Sequence, residues 1–427
     1  MMDFPLLPPR HQLVEMLTRI YEQGMTTTSG GNLSIKDDEG NIWITPAGVD
    51  KGSLTPADIV CCRPDGQIDG PHRPSSEYPF HRMIYQARPD LRALVHAHPP
   101  GLVAFSIARK LPDTRINPQS RDVCGEVGYA AYALPGSEAL GKEIADTFSK
   151  GFNSVMLENH GVVTGGVDLL DAFHRFETLE YCAQINIRAN ALGGYRTLTD
   201  AEIDRFSFDN ALPTFDPAVR SSRERELRLE LCAIVQRAYA RRLMISTGGT
   251  VSVRISGGRF LITPYGFDRK YVEPDDLVLI DGVRAEVGKT PSRSVRLHEK
   301  IYAAHPTINC IMSAQPPNAT TYSIVNQHFD TRTIPESYLL LRDLPVAPYG
   351  LPFEKPEQVA AMLSKDTPVI LLQNDAVLAT GGSVLEAFDR MEVAEFSAQA
   401  LIQSLSIGQI VPIGDEEIDH LKKKFLH

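Results

Sequence analysis

Four side chains in the first half of the chain have the types and spacing of a metal-assisted proton-transfer site. His96 and His98 alternate in an apolar run that stops at Pro99-Pro100, and residues two apart on a strand project from the same face. Two imidazoles held that way, joined by a third from elsewhere, make a facial ligand set that leaves one coordination position open for substrate. His160, in Leu157-Glu-Asn-His-Gly-Val162, sits where a turn between two short strands can supply the third. Glu77 follows Ser75-Ser76, and a carboxylate beside an open-site metal is the natural general acid/base, because the metal acidifies the group to be deprotonated. Taken singly these signals are weak: HxH pairs are common on surfaces, and a helix dipole favours a Glu in its first turn.

The chain carries its own control, because it repeats itself. Ser29-Gly-Gly-Asn-Leu-Ser-Ile35 matches Thr247-Gly-Gly-Thr-Val-Ser-Val253, and Ile44-Thr-Pro-Ala-Gly48 matches Ile262-Thr-Pro-Tyr-Gly266, both at an offset of 218. Pro74 to Pro100 aligns without a gap on Pro291 to Pro317 at 217, and Leu157 to Arg175 on Leu372 to Arg390 at 215. A register held across a half chain indicates a tandem duplication. The domains are expected at 11–210 and 223–427, with 211–222, which holds Pro213 and Pro217, as a linker. In the second copy His96, His98 and His160 become Ser313, Gln315 and Asp375, while the prolines after the HxH persist. Glu77 becomes Ser294. Both copies must fold, so residues lost together share a job other than packing. His81 survives as His298 and reads as structural.

The elements that must position these groups form a mixed α and β pattern. Helical spacing runs from Gln12 to Gln23, and Ser76 reads as the N-cap of a helix reaching Ala87. Short strands are predicted at 33–36, 42–45, 59–63, 93–98, 154–157 and 162–164, followed by a long helix over 168–192. The fold class is therefore α/β or α+β, a central sheet flanked by helices in each copy.

In that order, GGNLS, TPAG, PSSE, HAHP and ENHG resemble the class II aldolase/adducin family, over nearly all of each half. The resemblance implies an αβα sandwich around a mainly antiparallel sheet, and zinc on His96, His98 and His160 with Glu77 as acid/base. It implies Zn²⁺, or another divalent metal such as Mn²⁺ or Co²⁺. It also implies a phosphate cradle of Gly31, Asn32, Gly48, Ser75 and Ser76, with Ala47 standing where aldolases usually carry a hydroxyl residue. Family members typically form fourfold tetramers, so two fused chains are expected to dimerise into a ring of four domains. Aldolases of the family take a proton donor tyrosine from a neighbouring subunit, and Tyr338 is the candidate here. The implied reaction is cleavage of a C–C bond next to a carbonyl through a metal-stabilised enediolate, on a small sugar phosphate or a hydroxy or keto acid. The alternatives are a decarboxylase or dehydratase using the same groups, or an adducin-like scaffold without catalysis.

Composition bounds the rest. The 427 residues are 43% hydrophobic and 22% charged, which suits a soluble globular protein. A formal charge of −10 disfavours nucleic acid and anionic membranes as partners, and leaves a small molecule as the ligand class. The opening MMDFPLLPPRHQL lacks a charged n-region and a long apolar run, and the expectation is a cytoplasmic protein. The six cysteines show no CxxC spacing and read as buried thiols.

Overall fold

The computed structural model describes residues 4–206, 211–217 and 219–426. The chain divides into two compact units, one of residues up to 114 and 120–184, the other of 115–119 and 185 onward. In the first unit the elements run α1 (Pro9–Glu22), β1 (Asn32–Lys36), β2 (Ile42–Ile44), β3 (Val60–Cys62), β4 (Ile68–Asp69), α2 (Tyr78–Ala87) and β5 (Ala93–Ala97). They continue through α3 (Pro100–Ile107), α4 (Pro118–Cys124), β6 (Val127–Ala130), α5 (Glu138–Phe148), β7 (Ser154–Leu157), β8 (Val162–Gly166) and α6 (Leu169–Ala191), the start of α4 and the end of α6 falling in the second unit.

The strands form one sheet in the order β4-β3-β2-β1-β5-β8-β7-β6, antiparallel except where β6 meets β7. One face buries Phe80 and Ile84 of α2 and Ile144 and Phe148 of α5 against Ile44, Leu94, Val155 and Val163. Each such side chain contributes roughly 1.5–3 kcal/mol of burial. Elsewhere α1 and α6 meet through Arg19, whose guanidinium stacks 4.2 Å from the Phe173 ring and lies 3.7 Å from the buried Glu177 carboxylate.

The second unit repeats this plan. Its elements are α7 (Asp200–Asp204), β9 (Thr214–Phe215), α8 (Ser222–Ala240), β10 (Thr250–Ser256), β11 (Arg259–Ile262), β12 (Val278–Asp281), β13 (Arg284–Glu286), α9 (Val295–Ala304) and β14 (Cys310–Ala314). Then follow α10 (Pro317–Thr321), α11 (Pro335–Leu341), β15 (Val346–Ala347), α12 (Leu351–Glu354), α13 (Pro356–Met362), β16 (Val369–Leu372), β17 (Ala376–Gly381), α14 (Val384–Ser404) and α15 (Asp415–Phe425). The sheet order is β15-β16-β17-β14-β10-β11-β12-β13-β9. One face packs Leu231, Val235, Phe388 and Met391 on Val251 and Leu261. The other packs Val295, Ile301 and Val359 on Phe260 and Ile262.

Register carries the duplication residue by residue. Asn32 pairs with His96 and Thr250 with Ser313; His96 pairs with Val163 and Ser313 with Leu378. The isolated bridge Pro46–Pro74 recurs as Pro264–Pro291. The chain is two tandem mixed α/β domains with mainly antiparallel sheets. Thr214 and Phe215, inside the stretch read as a linker, form an edge strand on β13. All six cysteines are free and buried. No helix among the described residues is long and apolar enough to cross a membrane.

Candidate active site

The site sits at the end of the central strand β5. His96 is the fourth residue of that strand; His98 lies just past its end, ahead of the Pro99-Pro100 step into α3. His160 lies in the β7–β8 turn, behind Asn159, whose φ of +51° makes the turn possible. The three ligand nitrogens lie within 4.8 Å of one another, the one such group among the described residues. Nε2 of His96 is 3.1 Å from Nε2 of His98. His96 Nδ1 lies 2.9 Å from the Val162 carbonyl oxygen, which can only accept, so that nitrogen carries the proton and Nε2 faces the trio.

Glu77 is the N-cap residue of α2, one position later than the cap predicted at Ser76. The Ser75 hydroxyl accepts the Glu77 backbone N–H at 3.2 Å. The buried carboxylate reaches the trio: Oε2 is 3.1 Å from His96 Nε2 and Oε1 is 3.5 Å from His160 Nε2. Oε1 has no hydrogen-bond partner, whereas Oε2 accepts from Asn32 Nδ2 at 2.7 Å. Burial alone would raise the Glu77 carboxyl, but the charge and hydrogen bond of His96, the charge of His160 and the Asn32 amide hold it well below the usual carboxylate range. Burial, then the charge of His96, push His160 down to about 4, and with the charge of His160 added they push His98 down to about 3.

These residues fit a divalent cation. Two of the imidazoles are kept neutral with lone pairs available, a carboxylate faces the same point, and the buried Glu77 Oε1 and His160 Nδ1 lack hydrogen-bond partners.

His81 does more than pack. Its Nδ1 is 2.7 Å from Ser34 Oγ and its Nε2 is 2.5 Å from Asn32 Oδ1, so the ring donates to the amide that holds Glu77. Asn32, placed in the anion cradle by the family resemblance, has its amide engaged by Glu77 and His81. Gly31 has φ +74°, and a Cβ there would stand 2.7 Å from the His96 carbonyl oxygen, so only glycine lets this loop lie against β5. Gly48, at φ +70°, opens to free space; Ser75 is buried and Ser76 exposed. Tyr338 lies on α11 of the second unit, with the Lys422 ammonium 6.0 Å from its ring centroid.

Two supports went unread in the sequence. Glu180 on α6 accepts the N–H groups of Gly101 (3.0 Å) and Leu102 (2.9 Å), anchoring the start of α3 just after His98. Its repeat, Glu395, does the same for Asn318 and Ala319, a coincidence that the alignment of the two halves contains. Glu158, beside the His160 turn, pairs with Arg109 at 2.9 Å and becomes Gln373 in the second copy. That loss parallels the loss of the histidines and was the available signal.

The class II aldolase and adducin N-terminal domain profile matches residues 11–187 and again 229–402. The chain belongs to the class II aldolase and adducin family. Among curated relatives of this family member, a 3-oxo-tetronate 4-phosphate decarboxylase from Haemophilus influenzae is 32% identical over 201 residues, 46% of this chain and 95% of the relative. An L-fuculose phosphate aldolase from Methanococcus maripaludis is 34% identical, over 42% of this chain and 97% of the relative. A solved L-fuculose 1-phosphate aldolase is 34% identical over 46% of this chain and 92% of its own, with a TM-score of 0.43. Each relative is therefore matched over the length of one class II aldolase domain, and this chain holds two.

Proposed function

We propose that the first unit is a metal-dependent lyase that breaks a carbon–carbon bond beside a carbonyl, by aldol cleavage, in a small phosphorylated sugar. The observation that carries this reading is the convergence of His96, His98 and His160 on the buried, under-partnered carboxylate of Glu77. The three imidazoles would hold a divalent cation, Zn²⁺ by preference, which when bound withdraws electron density from a carbonyl oxygen next to the breaking bond. Glu77 moves the proton. Its Oε2 is fixed by the Asn32 amide, which leaves Oε1 as the atom free to take and return a proton. The imidazoles and the Asn32 amide around it favour the ionised form of the carboxylate. The exposed Ser76 hydroxyl, just ahead of α2, offers a place for the substrate's anionic group.

A second reading uses the same groups to release CO₂ from a 3-oxo acid phosphate, and the decarboxylase relative favours it. Both reactions build negative charge beside the polarised carbonyl. The test is a screen of ketose 1-phosphates for aldehyde release and of 3-oxo sugar-acid phosphates for CO₂ release, with and without chelator. Expected is turnover in one arm that chelation abolishes and Zn²⁺, Mn²⁺ or Co²⁺ restores. Absence of turnover in both arms, in a protein that holds no stoichiometric metal, would favour a scaffold instead. The reading extends to a homodimer forming a ring of domains, with Tyr338 serving a partner's site. Light scattering should give twice the 47.2 kDa chain mass, and Tyr338→Phe should slow turnover without removing metal.

A further inference from the structure

The second unit keeps the framework of the site and changes its chemistry. Ser313, Gln315 and Asp375 occupy the register of the three histidines. Gln315 is 9% exposed; its Nε2 lies 3.3 Å from Oε1 of Gln119, within the same unit, and its own Oε1 is buried without a hydrogen-bond partner. A buried acceptor left that way is destabilising, a cost that a ligand hydroxyl would remove. Asp375 follows Asn374, whose φ of +53° repeats the turn that carries His160. Burial pushes the Asp375 carboxyl up to about 7 against the opposing charge of Arg293, so near neutrality it can donate as well as accept.

Near enough to act on Asp375, the second unit has gained a positive charge in Arg293. Gly249 and Gly266, at φ +81° and +74°, repeat Gly31 and Gly48. Ser292 repeats Ser75, and Arg293 replaces Ser76 directly ahead of α9. The Arg293 guanidinium lies 4.8 Å from the Tyr265 ring centroid and donates to the Tyr265 hydroxyl at 2.5 Å. Tyr265 and Phe267 stand exposed on either side of Gly266. The unit thus joins a cationic end to a polar end with an unmet hydrogen-bond acceptor, and it lacks the three imidazoles of the first unit's cluster.

We propose that the second unit binds a small polyhydroxylated oxyanion, a sugar phosphate or sugar carboxylate, without metal and without turning it over. Its anionic group lies at Arg293 and the start of α9, and its hydroxyls meet Gln315, Ser313 and Asp375. This does not depend on which reaction the first unit performs.

The test is calorimetric titration of the full chain, carrying His96→Ala and His98→Ala and kept in chelator, with D-ribose 5-phosphate in one arm and D-gluconate in the other. At least one arm is expected to show saturable binding, weakened about tenfold or more by Arg293→Ser and again by Gln315→Leu. Hydrogen exchange should slow at 292–297 and 313–316 on adding that compound to the unsubstituted chain, a readout that needs no variant to fold. Absence of binding in both arms overturns the proposal. So does binding indifferent to both substitutions, or protection confined to 75–98.

Discussion

Asn32 joins the side chains of Glu77 and His81: His81 donates to the amide oxygen and the amide nitrogen donates to the carboxylate. The link explains why Asn32 disappears from the second copy with Glu77, whereas His81, which also bonds Ser34, remains as His298 bonded to Ser252. With Thr250 in place of Asn32, the Nε2 of His298 has no hydrogen-bond partner. Glu77→Gln keeps the shape and removes the base, so turnover should fall by about 10²–10⁴ while metal per chain stays constant; loss of metal as well would make Glu77 a ligand rather than a proton carrier. Gly31→Ala tests the close approach to β5. A Cβ there meets rigid backbone, the His96 carbonyl oxygen, whereas at Gly249 it meets the flexible Met244 side chain. The left-handed backbone costs either alanine about 1–2 kcal/mol, so a drop in melting temperature is expected for both, with metal occupancy lost only in Gly31→Ala. Equal occupancy in the two variants would show that the loop does not set the position of His96. The clustered histidines and Glu77 were legible because the second copy discards them together. The Asn32 link was not, since nothing in the sequence tells an amide that holds a carboxylate from one that holds an anion.

The elements were legible where a periodic pattern had clear ends. β7 is found at 154–157 as predicted, and α1, α2, β1, β2, β3, β5 and α6 lie within one to three residues of their expected ends. The sequence reading places no element between Pro100 and Asn153, and α3 shows why: Pro-Gly-Leu-Val-Ala-Phe-Ser-Ile is apolar nearly all round, with no polar stripe to give it a period. Its start is fixed from outside, by Glu180 reaching across from α6. A carboxylate that accepts two helix N–H groups is a charge-assisted cap, and a Cβ on Gly101 would come within 2.8 Å of it. Glu180→Gln should lower unfolding free energy by about 1–2 kcal/mol, measured by urea titration of the metal-free protein. It should also weaken zinc affinity, read by competition with a chromogenic chelator, because α3 begins two residues after His98. A stability loss with unchanged zinc affinity would mean that α3 holds the fold without positioning the ligand.

At the scale of the whole chain, duplication left each unit with a wholly buried histidine at the same position, His81 in the first and His298 in the second, in different surroundings. Burial, with the His96 charge added, pushes His81 down to about 3; burial alone pushes His298 to about 3. His298 is the cleaner probe because the second unit keeps none of the three ligand histidines. Its folded value lies below the unfolded one of 6.5, so the native ring stays neutral while the unfolded ring takes a proton. The unfolded state then binds more protons throughout the window from about 6.5 down to about 3. Stability from this group is fully present above pH 6.5 and falls as acid is added, by about 1.4 kcal/mol for each unit of pH inside the window. His298→Gln removes the titrating ring and leaves a side chain that can still reach Ser252. The variant should be less stable than the native chain at pH 7, yet its urea midpoint should fall more gently between pH 6.5 and 4. His81→Gln, made in the metal-free protein, should flatten the curve over the same window. If the His298→Gln midpoint falls as steeply as that of the native chain, burial does not hold His298 neutral, and the acid sensitivity of the second unit belongs to its carboxylates.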